Sequence, residues 1–129
     1  MAGERKTFGG AGAPPAIGPY SHAVSAGGLL FCSGQIPLDP DTGELVAGGA
    51  GEQAWRCLEN LRLVCEGAGA SLERAVRLTV YMTDLAAFAE VNEVYASFFT
   101  SEPEPARVAI GVAQLPRGAA VEIDAVVAL

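Results

Sequence analysis

Residues 105–123 read PARVAIGVAQLPRGAAVEI, two apolar runs joined through Pro116-Arg117-Gly118. Arg107 opens the first run, and Glu122 sits inside the second. Each charge is flanked by residues suited to a core. Apolar runs of this length bounded by Pro and Gly predict two strands, 107–115 and 119–129. A tight hairpin turning at 116–117 would set Glu122 opposite Gly111. That register leaves Glu122 about four residues from Arg107, or roughly 13 Å at strand rise. Two readings stay open. Either the charges form a structural ion pair, or they hold something that arrives from outside.

The chain upstream supplies the rest of a sheet and two helices. LLFCSGQIP (29–37) reads as an apolar strand, paired as a hairpin with a shorter strand in YSHAVSAGG (20–28) through Gly27-Gly28. GGAGAPPAIGP (9–19) is loop, and LDPDTGELV (38–46) is a surface turn. Ala54, Cys57, Leu58, Leu61, Val64 and Cys65 recur at three- and four-residue spacing, which predicts a helix over 51–66. VRLTVYM (76–82) alternates as a half-buried strand, with Val76, Leu78, Val80 and Met82 on one face. Asp84 is suited to cap a second helix over about 85–99, with a stripe of Phe88, Val91, Tyr95, Phe98 and Phe99. The order is close to β-β-β-α-β-α-β-β. Two helices cover one sheet face. The mixed character of the other, with Thr79, Tyr81, Glu122, Asp124 and Val126, predicts an oligomer.

Composition bounds the function. A chain of 129 residues, 50% apolar and 18% charged, predicts one compact domain spanning 1–129 and excludes disorder. No apolar run has the length of a membrane span. MAGERKTFGG carries no apolar segment after its charges and does not read as a signal peptide, so the cytoplasm is the expected location. The net charge is −7 and the eight basic residues are scattered, which argues against nucleic-acid binding. Cys32, Cys57 and Cys65 read as buried free thiols. With one histidine, His22, there is little material for a His-built metal site or a Ser-His-Asp triad.

AIGPYSHAV (16–24), FCSGQIPLDPDTGEL (31–45), the 60–99 stretch and PARVAIGVAQLPRGAAVEIDAV (105–126) together resemble the RidA family, also called the YjgF or reactive-intermediate deaminase family. The resemblance implies an α+β, chorismate-mutase-like subunit. It implies a trimer with a central β-barrel and ligand clefts between neighbouring subunits. The implied activity is hydrolysis of 2-imino acids and their enamine tautomers, released by pyridoxal-phosphate enzymes, to 2-keto acids and ammonia. The resemblance implies neither a cofactor nor a metal. The implied partners are small 2-imino and 2-keto carboxylates, with no nucleic acid and no membrane.

Carried over residue by residue, the resemblance makes Arg107 the clamp on the substrate carboxylate and Glu122 the acid that positions water. A planar guanidinium grips a carboxylate with two parallel hydrogen bonds, and a carboxylate can orient water and exchange a proton with it. Tyr20, Ser33, Gly34, Asn92 and the backbone of Ala109 would contact the ligand. Read without the family, each has a simpler role. Tyr20 packs on its loop, Asn92 is a packing or capping residue, and Ser33-Gly34 marks a bulge. His22 stands where many members have Gln, and Ala109 where many have a reactive Cys. The loop SEPEP (101–105) is shorter than in typical members and would border the cleft. Two other functions remain in view: a deaminase dedicated to a larger unsaturated amino acid, as 2-aminomuconate deaminases are, and a non-catalytic binder of small carboxylates. A ribonuclease is disfavoured by the charge.

Overall fold

The computed structural model describes residues 3–10 and 12–129. Met1 and Ala2 of the N-terminal reading and Ala11 of the 9–19 loop lie outside the described residues. The elements are β1 (Lys6–Phe8), β2 (Ala23–Ala26), β3 (Leu29–Gln35), α1 (Ala50–Gly67), β4 (Ala75–Met82), α2 (Phe88–Phe98), β5 (Ala106–Gly111) and β6 (Val121–Ala128). The strands form one mixed sheet in the order β1-β2-β3-β6-β4-β5. This is an α+β fold with two helices on one face.

Residues 105–123 do not form a hairpin. β5 pairs with β4 in parallel, and β6 lies antiparallel between β3 and β4. Chain connection explains the departure. Parallel strands need a crossover, and α2 is the crossover that returns β5 alongside β4. In the same way α1 carries the chain from β3 to β4 and leaves a slot, which β6 fills. The segment after β5 therefore passes around the end of β4. There the Val112 N–H donates to the Met82 carbonyl at 2.8 Å, and the Thr83 N–H to the Ala120 carbonyl at 3.1 Å. β5 ends at Gly111, short of the expected 115.

Elsewhere local signals hold. The β2–β3 hairpin turns at Gly27-Gly28, both at positive φ. Ala54, Cys57, Leu58, Leu61, Val64 and Cys65 are all fully buried against the sheet. Leu78, Val80 and Met82 of β4 and Val121, Ile123, Ala125 and Val127 of β6 face them. Val76 breaks its predicted alternation. The register against β6 shifts between Ala75 and Arg77, and Val76 turns outward at 46% exposure. Asp84 Oδ1 accepts from the Ala86 N–H at 2.9 Å, capping a short 3-10 turn that runs into α2. Asn60, fully buried on α1, donates to the Leu38 carbonyl at 2.9 Å and so fastens the 38–45 turn to the helix. The three cysteines are buried and free, and Cys32 Sγ lies 4.0 Å from Cys65 Sγ.

The opposite face carries no helix. Cross-strand register places Phe31, Val126 and Arg77 in one row, Asp124, Thr79 and Val108 in the next, and Glu122, Tyr81 and Ile110 in a third. Phe31, Val108 and Ile110 are each more than 40% exposed.

Candidate functional site

The candidate residues fall into two groups within one chain. Glu122, Tyr20, Ser33 and Gly34 line one cavity of about 440 Å³, together with His22, Gln35 and Arg117. Arg107 and Asn92 line a second of about 410 Å³ with Tyr95, Glu104 and Pro105.

The first cavity is built on a bulge. The β3–β6 register shifts between Cys32 and Gln35, so Ser33 and Gly34 leave the regular ladder. A bulge bends its strand and re-aims the neighbouring side chains. Here it lets the Glu122 carboxylate lie against the Gly34 backbone. A Cβ at position 34 would stand 3.0 Å from Glu122 Cδ, so glycine is required for this approach. Burial, and then the charge of Asp124 on the same face, push the Glu122 carboxyl above its ordinary range. Asp124 accepts a hydrogen bond from the Tyr81 hydroxyl at 2.9 Å. The Ser33 hydroxyl donates to the Ser21 carbonyl at 2.6 Å, so toward a ligand it is left with acceptor capacity. The Tyr20 hydroxyl accepts from the Ile17 N–H at 3.3 Å, holding the ring over its own loop.

His22 is buried and fully engaged. Its Nε2 lies 2.5 Å from the Pro14 carbonyl, and its Nδ1 lies 3.1 Å from the Gln35 side-chain nitrogen. An amide nitrogen only donates, so the network assigns an acceptor Nδ1 and a proton on Nε2. The ring ties the 14–20 loop to β3.

Arg107 belongs to the helix-facing side of β5. Its guanidinium donates to Asn92 Oδ1 at 2.6 Å and lies 5.3 Å and 4.8 Å from the Phe88 and Tyr95 ring centroids. Residues 88, 92 and 95 share one face of α2. Phe88 and Tyr95 read from sequence as an apolar stripe, and their work as a cradle for the guanidinium was missed. The signal was Asn92 on the same face at i+4 from Phe88. Among the described residues, Arg107 has no acidic partner. Ala109, two residues on, lies on the same face of this edge strand.

Arg107 and Glu122 do not pair. Glu122 aligns with Ile110 through Tyr81, three residues from Arg107, with β4 between the two strands. An odd offset puts the side chains on opposite faces. Two strand spacings and three residues separate them by about 14 Å. The separation expected from a hairpin register is present, but for a different reason.

The model of the family described as Endoribonuclease L-PSP matches residues 10–129. The chain is 52% identical over 117 residues to the RutC family protein y4sK of Sinorhizobium fredii, covering 91% of this chain and 92% of the relative. It is 44% identical over 122 residues to the mouse 2-iminobutanoate/2-iminopropanoate deaminase, covering 95% and 90%. The crystal structure of E. coli TdcF with bound serine superposes with a TM-score of 0.89 at 40% identity, over 96% of this chain and 98% of that one. The fold, the family model and these relatives agree along nearly the full chain, and the chain belongs to the RidA family.

Proposed function

We propose that this protein is an enamine/imine deaminase that hydrolyses 2-imino acids to 2-keto acids and ammonia. The observation that carries the reading is an Arg107 guanidinium held by Asn92, Phe88 and Tyr95 that makes no ion pair among the described residues, although Glu104 lines the same cavity. It is oriented for an anion. The 44% identity to a mouse protein named as such a deaminase supports the same activity.

Arg107 and Glu122 lie on opposite faces of the sheet, so one chain cannot bring both to one small substrate. A homotrimer resolves this by setting the Arg107 edge of one copy over the Glu122 cavity of the next. The exposed apolar residues on the helix-free face supply the contact. Arg107 then pins the substrate carboxylate, and Glu122 holds a water near the C=N carbon. The water oxygen bonds to that carbon and one of its protons passes to nitrogen. The second proton follows as the C–N bond breaks, so ammonia leaves and a C=O remains. A carboxyl whose pKa is raised by burial holds a proton more readily than a free one, which suits it to relay these protons. The substrate is already electrophilic, so positioning supplies most of the rate.

The test is keto-acid formation from freshly generated 2-aminoacrylate and 2-iminobutanoate, faster than spontaneous hydrolysis. Arg107→Ala is expected to lose about a hundredfold or more in kcat/KM, the scale of a lost charge-assisted bidentate contact and the orientation it imposes. A folded parent without turnover on either compound overturns the reading. Binding of a keto acid without turnover would point to a carboxylate-binding protein. The family description names an endoribonuclease, but the net charge of −7 disfavours that activity here. Strong, salt-sensitive RNA binding would reverse that judgement.

A further inference from the structure

Arg117 is a second guanidinium at the site, and no step of the proposed hydrolysis uses it. It lines the Glu122 cavity and is the only cation among the residues that do. Its side chain donates to the Gly43 carbonyl at 3.0 Å, a neutral partner. Among the described residues it has no ion pair. A guanidinium has five N–H donors in a fixed fork, so one carbonyl leaves most of it available.

The backbone at Arg117 is costly. Its φ of 59° makes it the one non-glycine residue in the left-handed region among the described residues. That conformation is unfavourable for an L-residue, because Cβ crowds the following carbonyl oxygen. Gly or Asn would occupy it more cheaply. This conformation holds a long cationic side chain at the wall of the cavity, in the loop between β5 and β6. Local strain of this kind is typical of ligand clamps.

In a single chain the cavity has a volume of about 440 Å³ and is open on one side, so part of it is left for the neighbouring copy to cover. The wall that Glu122 and Arg117 share also includes Ile17, Ile36 and Leu38, which suit a short hydrocarbon chain. The −7 net charge repels a dianion, so a local cation is needed to hold one.

We propose that Arg117 is a specificity-determining residue that binds a distal carboxylate, so the favoured substrates are 2-imino dicarboxylic acids. This rests on the deaminase reading. Arg107 of a neighbouring copy takes the carboxylate beside the C=N carbon, and Arg117 takes the one at the far end of the chain. The supplying reaction is then one that releases an imine or enamine from an acidic amino acid.

The experiment compares 2-iminoglutarate and 2-iminobutanoate, generated in place by amino-acid oxidases with catalase present. The parent is set against Arg117→Asn and Arg117→Gly, which suit a positive φ and keep the fold. The ratio of kcat/KM for the diacid to that for the monoacid is expected to fall about 10–100-fold in both variants, mainly through KM, as for a lost charge-assisted hydrogen bond. An unchanged ratio overturns the proposal, because a purely structural tie to Gly43 would slow both substrates alike. Calorimetric binding of 2-oxoglutarate and 2-oxobutanoate tests the same residue without turnover. If the parent is inactive but binds 2-oxoglutarate at least tenfold more tightly than the variants do, the Arg117 subsite stands and the deaminase reading fails. If the parent hydrolyses the monoacid and Arg117 has no effect on 2-oxoglutarate binding, the deaminase reading stands and the subsite fails.

Discussion

Gly34 is where a single atom decides the site. Adding a methyl group there forces the Glu122 carboxylate away from the bulge, since Cδ lies 3.0 Å from the new Cβ. Gly34→Ala is expected to lower kcat/KM by tenfold or more, the scale of misplacing a catalytic group by about 1 Å. The end of the Glu122 side chain can swing aside, so the melting temperature should change little. A variant with full activity would show that Glu122 works from elsewhere. Glu122 itself has a signed pH behaviour. Its folded-state carboxyl is raised by burial and then by Asp124. The acid limb of kcat/KM should therefore lie above the ordinary Glu value of about 4.3. Because the folded state holds this proton more tightly, stability is lost as pH rises from the unfolded value through the folded one. Glu122→Gln should match the parent in urea melts near pH 4 and exceed it at pH 8, while losing about a hundredfold in turnover. Equal stability at both pH values would show that Glu122 is not desolvated.

At the scale of elements, α1 seals the sheet. Leu61 is fully buried in the cluster that joins α1 to β3, β4 and β6. Leu61→Ala is expected to cost about 2–5 kcal/mol in denaturant melts, with the larger value if the cavity stays open. A loss under about 1 kcal/mol, well below that range, would mean that the helix packs differently. α2 works in another way. Its Val91 faces the core, while Phe88, Asn92 and Tyr95 orient Arg107. A helix stripe thus serves packing and cradling at once. Hydrophobic periodicity registers only that both kinds of residue are apolar or semi-polar on neighbouring faces. Ser33-Gly34 shows the same overlap. The bulge reading and the ligand-facing reading of that pair are compatible, because the irregularity creates the space that the carboxylate occupies.

At the scale of the molecule, the helix-free face is the feature to test. Phe31 pairs across strands with Val126, and Phe31 is 46% exposed in a single chain. If copies assemble through this face, Phe31→Glu buries a charge in the contact, and light scattering at micromolar concentration should show smaller particles than the parent gives. Activity should fall with assembly, since Arg107 and Glu122 of one chain face opposite ways. A monomeric parent with full activity would contradict the shared-site arrangement.

Local chemistry was enough to specify most of the elements, though not β1 (Lys6–Phe8) or the end of β5. The spacing of residues 54–65, the alternation of Leu78, Val80 and Met82, the Gly27-Gly28 turn and the Asp84 cap each act within a few residues of chain. Residue type also marked Arg107 and Glu122, because charged groups beside core positions need a reason, whereas Asn92 was marked only by the family resemblance. Strand neighbours were decided only in three dimensions. The runs on either side of Pro116-Arg117-Gly118 look like a hairpin because they are adjacent in sequence. Yet a crossover helix places β5 on the far side of β4, and β6 closes the slot beside β3. That arrangement alone puts Arg107 and Glu122 on opposite faces and sets Arg117 at the rim of the Glu122 cavity. The physical reason is the period of two along a strand. Which face a side chain takes depends on register with a partner, and the partner is chosen by the packing of the whole sheet.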